Sequence, residues 1–544
     1  MKNTYFLPLG GTGEIGMNLN LYGYGEGKNI DWFMVDCGVT FSQAGLPGID
    51  LQMPDPTFIA SQKDKLMGII LTHAHEDHIG AMPFIWPYFK CPIYTTEFTA
   101  ALLIEKFDEY NIDYTNKIFI HNDSEVINIG NFQVKAIGLT HSIPEMNALL
   151  IKSPSANIFH TGDWKIDKDP IVGDGFDKKK LLNFENIEID ALVCDSTNAM
   201  TPGISGSELS VKNSLEEIIS KIEGRIFLST FASNVARLCS VAEAAAKHDR
   251  HVVLSGRGMH RIVNAAKSVG LLRGLPDFVD EENAGYLPAE KTLILCTGSQ
   301  GEYRAALSKI ARDEHQHIVA EKGDTVIFSS KVIPGNEAGI MNLQNLFAKK
   351  DIKIITGKDE FVHVSGHPCQ DELIEMYNLI QPKSIIPVHG EFRHLVANAN
   401  LAKNNGIKNT LVIENGTVIK ISNKDVSIDH QVESGRLYKD GKIIVYDYES
   451  PSNERSKISF TGLIVISIVL QNNKIKSKPK IKMIGLPEFD EEGIKLSDWV
   501  NQALDNVISS KNKSGNLESR IKNAVIRQIR EVWGKKPKVE IIFH

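Results

Sequence analysis

Short apolar runs closed by Gly, Thr, His or Asp fill the first part of the chain: "IDWFMVDCG", "KLMGIILTH", "NFQVKAIGLTH", "NIFHTGDW" and "ALVCDSTN". Runs of this length, rich in β-branched and aromatic residues and bounded by turn formers, predict strands. Their polar residues sit at the strand ends. The pattern therefore predicts two sheets whose terminal loops gather at one rim, where a rigid scaffold lets side chains distant in sequence converge.

From about Ser207 the rhythm changes. "SVKNSLEEIISKI", "NVARLCSVAEAAAKH" and "MHRIVNAAKSVG" carry apolar residues at helical spacing, and they alternate with "RIFLST", "HVVLSG", "KTLILCTGSQ" and "DTVIFSS". Helix and strand in alternation predict a mostly parallel sheet. After about residue 345, "IKIITG", "EFVHVSGH", "SIIPVHG" and "TLVIENGTVIKI" return to the earlier strand-end His and Gly. The α/β unit thus reads as an insert, 207–345, in a first domain formed by 1–206 and 346–450. Residues 451–544 then form a linker and a small α+β domain. There "QNNKIKSKPKIK" reads as a linker or exposed hairpin, and "LSDWVNQALDNVISS" and "NLESRIKNAVIRQIREVW" read as amphipathic helices before a last strand, "KVEIIFH".

Composition narrows the class. A chain of 544 residues with 42% apolar and 23% charged residues is long enough for several buried cores. No basic n-region with an apolar h-region opens it, and the longest apolar run, "GLIVISIVL", is too short to span a bilayer, so the expectation is a soluble cytoplasmic protein with no membrane partner. Cys37, Cys91, Cys194, Cys239, Cys296 and Cys369 lack CxxC spacing and read as reduced core residues. The net charge of −7 argues against wrapping nucleic acid by bulk electrostatics. From Pro451 onward, however, seventeen Lys and Arg stand against ten Asp and Glu, so a basic tail that can touch a polyanion follows an acidic body.

"GGTGEIG", Gly10 to Gly16, matches GxGxxG, and Asp36 follows at the distance of a ribose-binding carboxylate. A dinucleotide site needs a helix at the last glycine. Here the chain continues "MNLNLYGYGEGKN", which reads as strand and turn, so the glycines are expected to let the backbone pass close to a polar site that Asp36 buttresses.

That site is announced by "LTHAHEDHIGAMP", where His73, His75, Asp77 and His78 crowd together after an apolar strand. Four such groups beside an apolar strand carry a desolvation penalty unless metal or mutual pairing compensates it. In an extended loop, alternation would place His73, His75 and Asp77 on one side and His78 on the other. A catalytic zinc uses about three protein ligands, so this density points to two ions, completed from other strand ends by His141, Asp163 and His389. A pair of divalent ions activates water and neutralises charge on a phosphoryl oxygen, which makes hydrolysis the expected chemistry. His315 and His317 in "DEHQH" lie in a charged segment and read as surface. "HGEFRH" does not match a zincin, because His389 and His394 are five apart.

HxHxDH, the later strand-end His, "TGD" and the distal "HGE" resemble the metallo-β-lactamase superfamily. The resemblance implies an αββα sandwich, with one ion on His73, His75 and His141, a second on Asp77, His78 and His389, and Asp163 bridging. The expected ions are zinc, with manganese or magnesium as alternatives. "VCDSTNA" with Asp195, "FVHVSGHPC" and "PVHGE" resemble the β-CASP nuclease motifs, and "GGTGEIGMN", "TFASNVAR", "TGSQGE" and "SSKVIPGNE" extend the likeness to the ribonuclease J family over residues 10 to 391. The family implies a cytoplasmic homodimer or homotetramer that cleaves RNA. Its action is 5′ to 3′ trimming with a preference for 5′-monophosphate ends, some internal cleavage, and a part in mRNA decay and rRNA processing.

Within that frame His367 is placed to contact the scissile phosphate or leaving oxygen, and Asp195 to orient an imidazole or pass a proton. His363, Val364, Ser365, Gly366 and His367 supply small residues and backbone N–H groups, and Ser233 and Asn234 supply polar donors before a helix; together they suit a 5′-phosphate pocket. Asn234 and Ser233 equally suit a helix N-cap. Two departures from the family stand out. Ala74 replaces a common Gly, and no acidic, glycine-rich loop after residue 425 offers a further structural ion site. The alternatives are a DNA-processing β-CASP nuclease, an inactive RNA-binding scaffold and a small-ester or lactam hydrolase. Against these stand His389, the complete set of candidate ligands, and an insert superfluous for a small substrate.

Overall fold

A computed structural model describes residues 2–41, 46–182, 187–423, 425–472, 474–510 and 516–544. It divides into two compact units, residues 1–41 with 52–437, and residues 42–51 with 438–544. The expected apolar runs form strands, and in the larger unit they build two facing sheets. One has eight strands in the order Val426–Gln431, Thr417–Ile421, Asn3–Gly10, Leu19–Glu26, Asn29–Val35, Leu66–Ile70, Ile93–Thr95 and Ile118–Ile120. The other has seven, in the order Val126–Ile129, Phe132–Gly138, Asn147–Lys152, Asn157–His160, Ala191–Asp195, Ser384–Val388 and Asn409–Thr410.

Between the sheets lie Phe6, Tyr22, Phe33, Val35 and Ile70 from the first, and Val134, Leu149, Ile151, Val193 and Ile386 from the second. The alternate residues of the second sheet, such as Ala148, Leu150, Leu192 and Ile385, face outward onto Leu373, Met376 and Tyr377 of helix Gln370–Ile380. Both faces of this sheet are therefore buried. That is why "NALLIK" and "ALVCD" read as continuous apolar runs instead of an alternation. Leu149 is fully buried in the inter-sheet core. Leu149→Ala is expected to lower unfolding free energy by about 2–5 kcal/mol, read by denaturant titration. A loss within the ordinary surface range of about 0.5 kcal/mol would show that the sheets do not face each other there.

The α/β rhythm after Ser207 gives a six-stranded sheet in the order Val279–Asp280, His251–Ser255, Thr292–Cys296, Ile226–Ser229, Thr325–Phe328 and Lys353–Ile355. Every pair in it is parallel. The loops "TFASN", "TGSQGE" and "SSKVIPGNE" leave the carboxyl ends of three of these strands, the end where open α/β sheets bind ligands. Two segments depart from their expected form. "EFVHVSGH" is irregular and not a strand, and "TLVIENGTVIKI" is two strands, Asn409–Thr410 and Thr417–Ile421, separated by a turn. Val362 and Val364 are buried in the irregular segment without a ladder partner, an arrangement that an apolar alternation cannot distinguish from a strand.

In the smaller unit, strands Lys480–Ile484, Leu463–Ile468 and Lys538–Phe543 form one sheet. Helices Leu496–Ser509 and Leu517–Trp533 bury Val500, Leu504, Val525 and Ile529 against Ile464 and Ile466. The lysine-rich stretch includes a short hairpin, Leu470–Gln471 paired with Lys474–Ile475; Asn473 lies outside the described residues. Trp499 and Trp533 pack, partly buried, against this unit's core. All six cysteines are free and buried. Among the described residues no helix is long and apolar enough to cross a membrane.

Candidate metal centre

The chain after strand Leu66–Ile70 stays extended only as far as His75. His75 then stands at the head of a helical turn, Glu76–Ile79, whose His78 and Ile79 N–H groups donate to the His75 carbonyl. Alternation along an extended loop is thus not what sorts these groups. The turn separates His73 and His75 from Asp77 and His78, which lets one short motif contribute to two candidate groups. Glu76 and Asp77 suit the positive end of the turn.

His73, His75, His141 and Asp163 form one group whose ligand atoms lie within 4.8 Å of one another, and Asp77, His78, Asp163 and His389 form a second. In the first, His75 Nδ1 lies 3.1 Å from His73 Nε2 and 3.2 Å from His141 Nε2. In the second, Asp77 Oδ2 lies 3.1 Å from His389 Nε2, and Asp163 Oδ2 lies 3.2 Å from His78 Nε2. Asp163 stands in both. A third group joins Asp163, Asp195, His367 and His389.

The outer nitrogens fix the tautomers. His141 Nδ1 donates to the Gly366 carbonyl at 2.6 Å, and His78 Nδ1 donates to Asp36 Oδ2 at 2.7 Å; both acceptors can only accept. Thr72 Oγ1 gives its own proton to Asp36, so it accepts from His73 Nδ1 at 3.0 Å. Thr197 Oγ1 gives its proton to the His389 carbonyl and accepts from His389 Nδ1 at 2.9 Å. These bonds occupy the outer nitrogens, so in the neutral imidazoles the inner Nε2 of His73, His78, His141 and His389 carries the lone pair that a cation can take. Among the described residues Asp163 Oδ1 is buried with no hydrogen-bond partner. Such a set needs positive charge inside it, from protons or from cations, and imidazole nitrogen with carboxylate oxygen is the donor set of divalent transition metals. The residues fit a two-ion centre.

Without ions, protons on part of the set supply that charge. Burial, reinforced by the neighbouring imidazoles, pushes His73 and His141 well below the ordinary imidazole range, and burial carries His75 down to about 4. Burial also opposes charge on His78 and His389, but Asp163 and the adjacent carboxylates outweigh it and hold both well above that range. Asp77 and Asp163 stay ionised against their burial, because His78 and His389 face them.

Asp36 is the buttress the sequence suggested. It is buried, takes φ +65°, and accepts from the Thr72 N–H at 2.8 Å as well as from His78. His389 takes φ +50° and donates its N–H to the Gly11 carbonyl at 2.7 Å. Left-handed backbone at a non-glycine costs about 1–3 kcal/mol, and here two functional side chains carry it. Asp36→Asn should keep the fold and weaken metal affinity by about 10–100-fold. Competition with a chromophoric chelator measures that change; unaltered affinity would make Asp36 structural only.

Asp195 Oδ2 accepts from His367 Nδ1 at 2.8 Å, and the His367 side chain is 22% exposed, more open than those of His73, His78, His141 and His389. Burial works against its charge, but Asp195 raises it above the ordinary range. The 363–367 segment is built around Gly366, where a Cβ would meet Ser142 Oγ at 2.7 Å and His141 Cε1 at 2.8 Å. Val364 is buried, and Ser365 Oγ accepts from Asn198 Nδ2 at 2.8 Å. Among the described residues His363 Nδ1 has no hydrogen-bond partner; burial, then Arg237, Lys331 and Lys165, push that imidazole down to about 3. Asn234 is buried and caps helix Val235–Lys247, accepting from Arg237 N–H at 2.9 Å and donating to Glu208 Oε1 at 3.1 Å, while Ser233 precedes it at intermediate exposure.

Several supporting residues escaped the sequence reading. Asn18 donates to the Asp77 carbonyl at 3.0 Å and approaches His78 Nε2 at 3.1 Å. Gly38 lets the backbone pass so close that a Cβ would lie 1.7 Å from the Asp77 carbonyl oxygen. The spacing signal of "HAHEDH" says nothing of either, but "DCG" after an apolar strand is the kind of strand-end Gly that marks close approach. His315 is not surface: its side chain is 7% exposed, beside Ser255 Oγ at 3.1 Å and Glu281. Its Nδ1 accepts the His317 and Ile318 N–H groups, so its proton sits at Nε2 and it cannot act as a base toward Ser255.

The β-CASP domain of ribonuclease J matches residues 223–347, and the ribonuclease J C-terminal domain matches 453–544. The β-lactamase superfamily domain matches 31–184, and the RNA specificity domain of Zn-dependent metallo-hydrolases matches 351–412. Ribonuclease J of Sinorhizobium meliloti is 44% identical over 544 aligned residues, covering 98% of this chain and 96% of that one. The chain belongs to the ribonuclease J family. Ribonuclease J of Corynebacterium glutamicum is 34% identical, covering 97% of this chain and 74% of its own, and that of Helicobacter pylori strain 26695 is 32% identical, covering 98% and 78%. A crystal structure of a protein of unknown function from Enterococcus faecalis matches with TM-score 0.54 and 18% identity, over 77% of this chain and all of that one, and shows the fold alone. Family membership gives the architecture its terms: a metallo-β-lactamase sandwich, an inserted β-CASP domain and a small C-terminal domain.

Proposed function

We propose that this protein is a metal-dependent ribonuclease that hydrolyses RNA phosphodiesters, trimming from the 5′ end with a preference for 5′-monophosphate RNA and cutting internally as well. The observation that carries the reading is the convergence of His73, His75, Asp77, His78, His141, Asp163 and His389 on two adjoining groups, with the Asp195–His367 pair against them. The ions those seven residues would hold, zinc with manganese or magnesium as alternatives, supply Lewis acidity and a neutral-pH source of nucleophile. The chain's own residues do the rest. Asp195 holds the His367 Nδ1 proton, which leaves Nε2 to serve the scissile phosphate or the departing oxygen.

The 5′ end is assigned to the 363–367 segment with Ser233. Asn234, committed to the helix cap and to Glu208, holds Ser233 and the helix N-terminus in place. The RNA specificity domain and the ribonuclease J relatives support RNA as the substrate; a cytoplasmic setting and a homodimer or homotetramer are assigned as what the family likeness implies. We set the domain limits at 1–206 with 346–450, 207–345 and 451–544.

The test is a fluorescent RNA carrying a 5′-monophosphate or a 5′-triphosphate, incubated with and without chelator. Stepwise shortening of the monophosphate RNA, abolished by chelator, is expected. Equal inertness in all four reactions would favour an RNA-binding scaffold.

A further inference from the structure

Three cations bear on His363: Arg237, Lys331 and Lys165. Two are already neutralised. Arg237 is fully buried and spends its guanidinium on Glu208 Oε1 and Oε2 at 3.1 and 3.0 Å, on Ser329 and on the Val362 carbonyl. Lys165 is buried against Asp167 Oδ2 at 3.0 Å. Lys331 is different: it is exposed, and among the described residues its ammonium contacts Asn198 Oδ1 at 3.2 Å and no carboxylate.

Asn198 links this free charge to the candidate phosphate segment. Its amide nitrogen donates to Ser365 Oγ at 2.8 Å and to the His367 carbonyl at 3.0 Å, which leaves Oδ1 for Lys331. Lys331 therefore joins the 363–367 segment through Asn198, whereas His367 meets Asp195 directly. Its backbone is fixed as well. The buried Gln300 donates from Nε2 to the Lys331 carbonyl at 2.8 Å and accepts from the Ile333 N–H at 2.9 Å, clamping the turn on both sides. An unpaired ammonium on a clamped turn in an otherwise acidic body is preorganised for an anion.

We infer that Lys331 binds the terminal phosphate of 5′-monophosphorylated RNA and is a specificity-determining residue for that end. This rests on the 5′-end preference stated under Proposed function. The ion centre would neutralise the phosphate being cleaved, whereas Lys331, tied through Asn198 to Ser365 and the His367 carbonyl, serves the phosphate that is not. A 5′-monophosphate brings a charge of about −1.5 to −2 to that position, and a 5′-hydroxyl RNA brings none.

The experiment compares single-turnover cleavage of 5′-monophosphate and 5′-hydroxyl RNA by the metal-loaded full chain, its Lys331→Met and Lys331→Arg variants, with metal content measured for each. The wild type should prefer the monophosphate. Lys331→Met should lose that preference by about ten- to a hundredfold, the size of a charged hydrogen bond, with metal content retained, and Lys331→Arg should restore most of it. On an RNA whose first linkage resists hydrolysis, the slope of log affinity against log salt should fall by about one in Lys331→Met. A wild type indifferent to the 5′ end would overturn the underlying 5′-end reading, and this inference with it. A wild type that prefers the monophosphate, with a Lys331→Met preference and salt slope equal to it, would overturn this inference alone.

Discussion

Asp163→Asn is expected to empty both halves of the metal centre and to slow RNA cleavage by about 10⁴-fold or more. The substitution keeps the shape of the side chain and removes the one group common to both ion sets. Asp163 Oδ2 lies 3.2 Å from His78 Nε2 and 3.9 Å from both His73 and His141 Nε2, and Oδ1 lies 3.5 Å from His389 Nδ1. An amide there brings donors to lone pairs that a cation should meet, and it deletes a negative charge that offsets two ions. A two-ion centre supplies several kcal/mol of transition-state stabilisation, and each 1.36 kcal/mol is tenfold in rate. Metal analysis with single-turnover cleavage checks the prediction. His75→Ala, which touches the first group only, should lower metal content by less than Asp163→Asn does. Full metal content in Asp163→Asn would mean that the two groups do not share it.

His367→Ala should behave in the opposite way, keeping its metal and losing about 10²–10⁴-fold in kcat. His367 Nδ1 is held by Asp195 Oδ2 at 2.8 Å and stands 3.9 Å from Asp163 Oδ2, so it adjoins the centre while its partner lies outside the seven ligands. Asp195→Asn should give a smaller loss, because the imidazole stays while its orientation and charge are relaxed. Residues that act as a unit are not additive, so the double variant should be no slower than His367→Ala alone. Loss of metal in His367→Ala would instead assign His367 to the ligand set, through the group it forms with Asp163, Asp195 and His389.

The physics of burial explains what was readable from the chain. Strands such as Asn147–Lys152 are covered on both faces, so they appear as unbroken apolar runs whose ends are conspicuous. Candidate ligands on those ends are therefore legible one at a time, and His141, Asp163 and His389 sit where the runs stop. The local turn at Glu76 was not readable. Four residues form it, fixed by the backbone of Asn18 and Cys37 to Val39, and a contact between segments that far apart leaves no periodic trace. Thr72, Thr197 and Asn198 escaped for the same reason: a single polar residue at a strand end acquires its task only from the neighbour that folding brings to it. His315 was misread because its charged sequence context hides a buried side chain.

Anomalous diffraction from crystals of the metal-loaded protein, at the edge of the bound metal, tests most directly whether seven side chains build two adjoining ion positions. The expected result is two resolved peaks, one against His73, His75 and His141, the other against Asp77, His78 and His389, with Asp163 reaching both. A single peak, or peaks away from these residues, would contradict it.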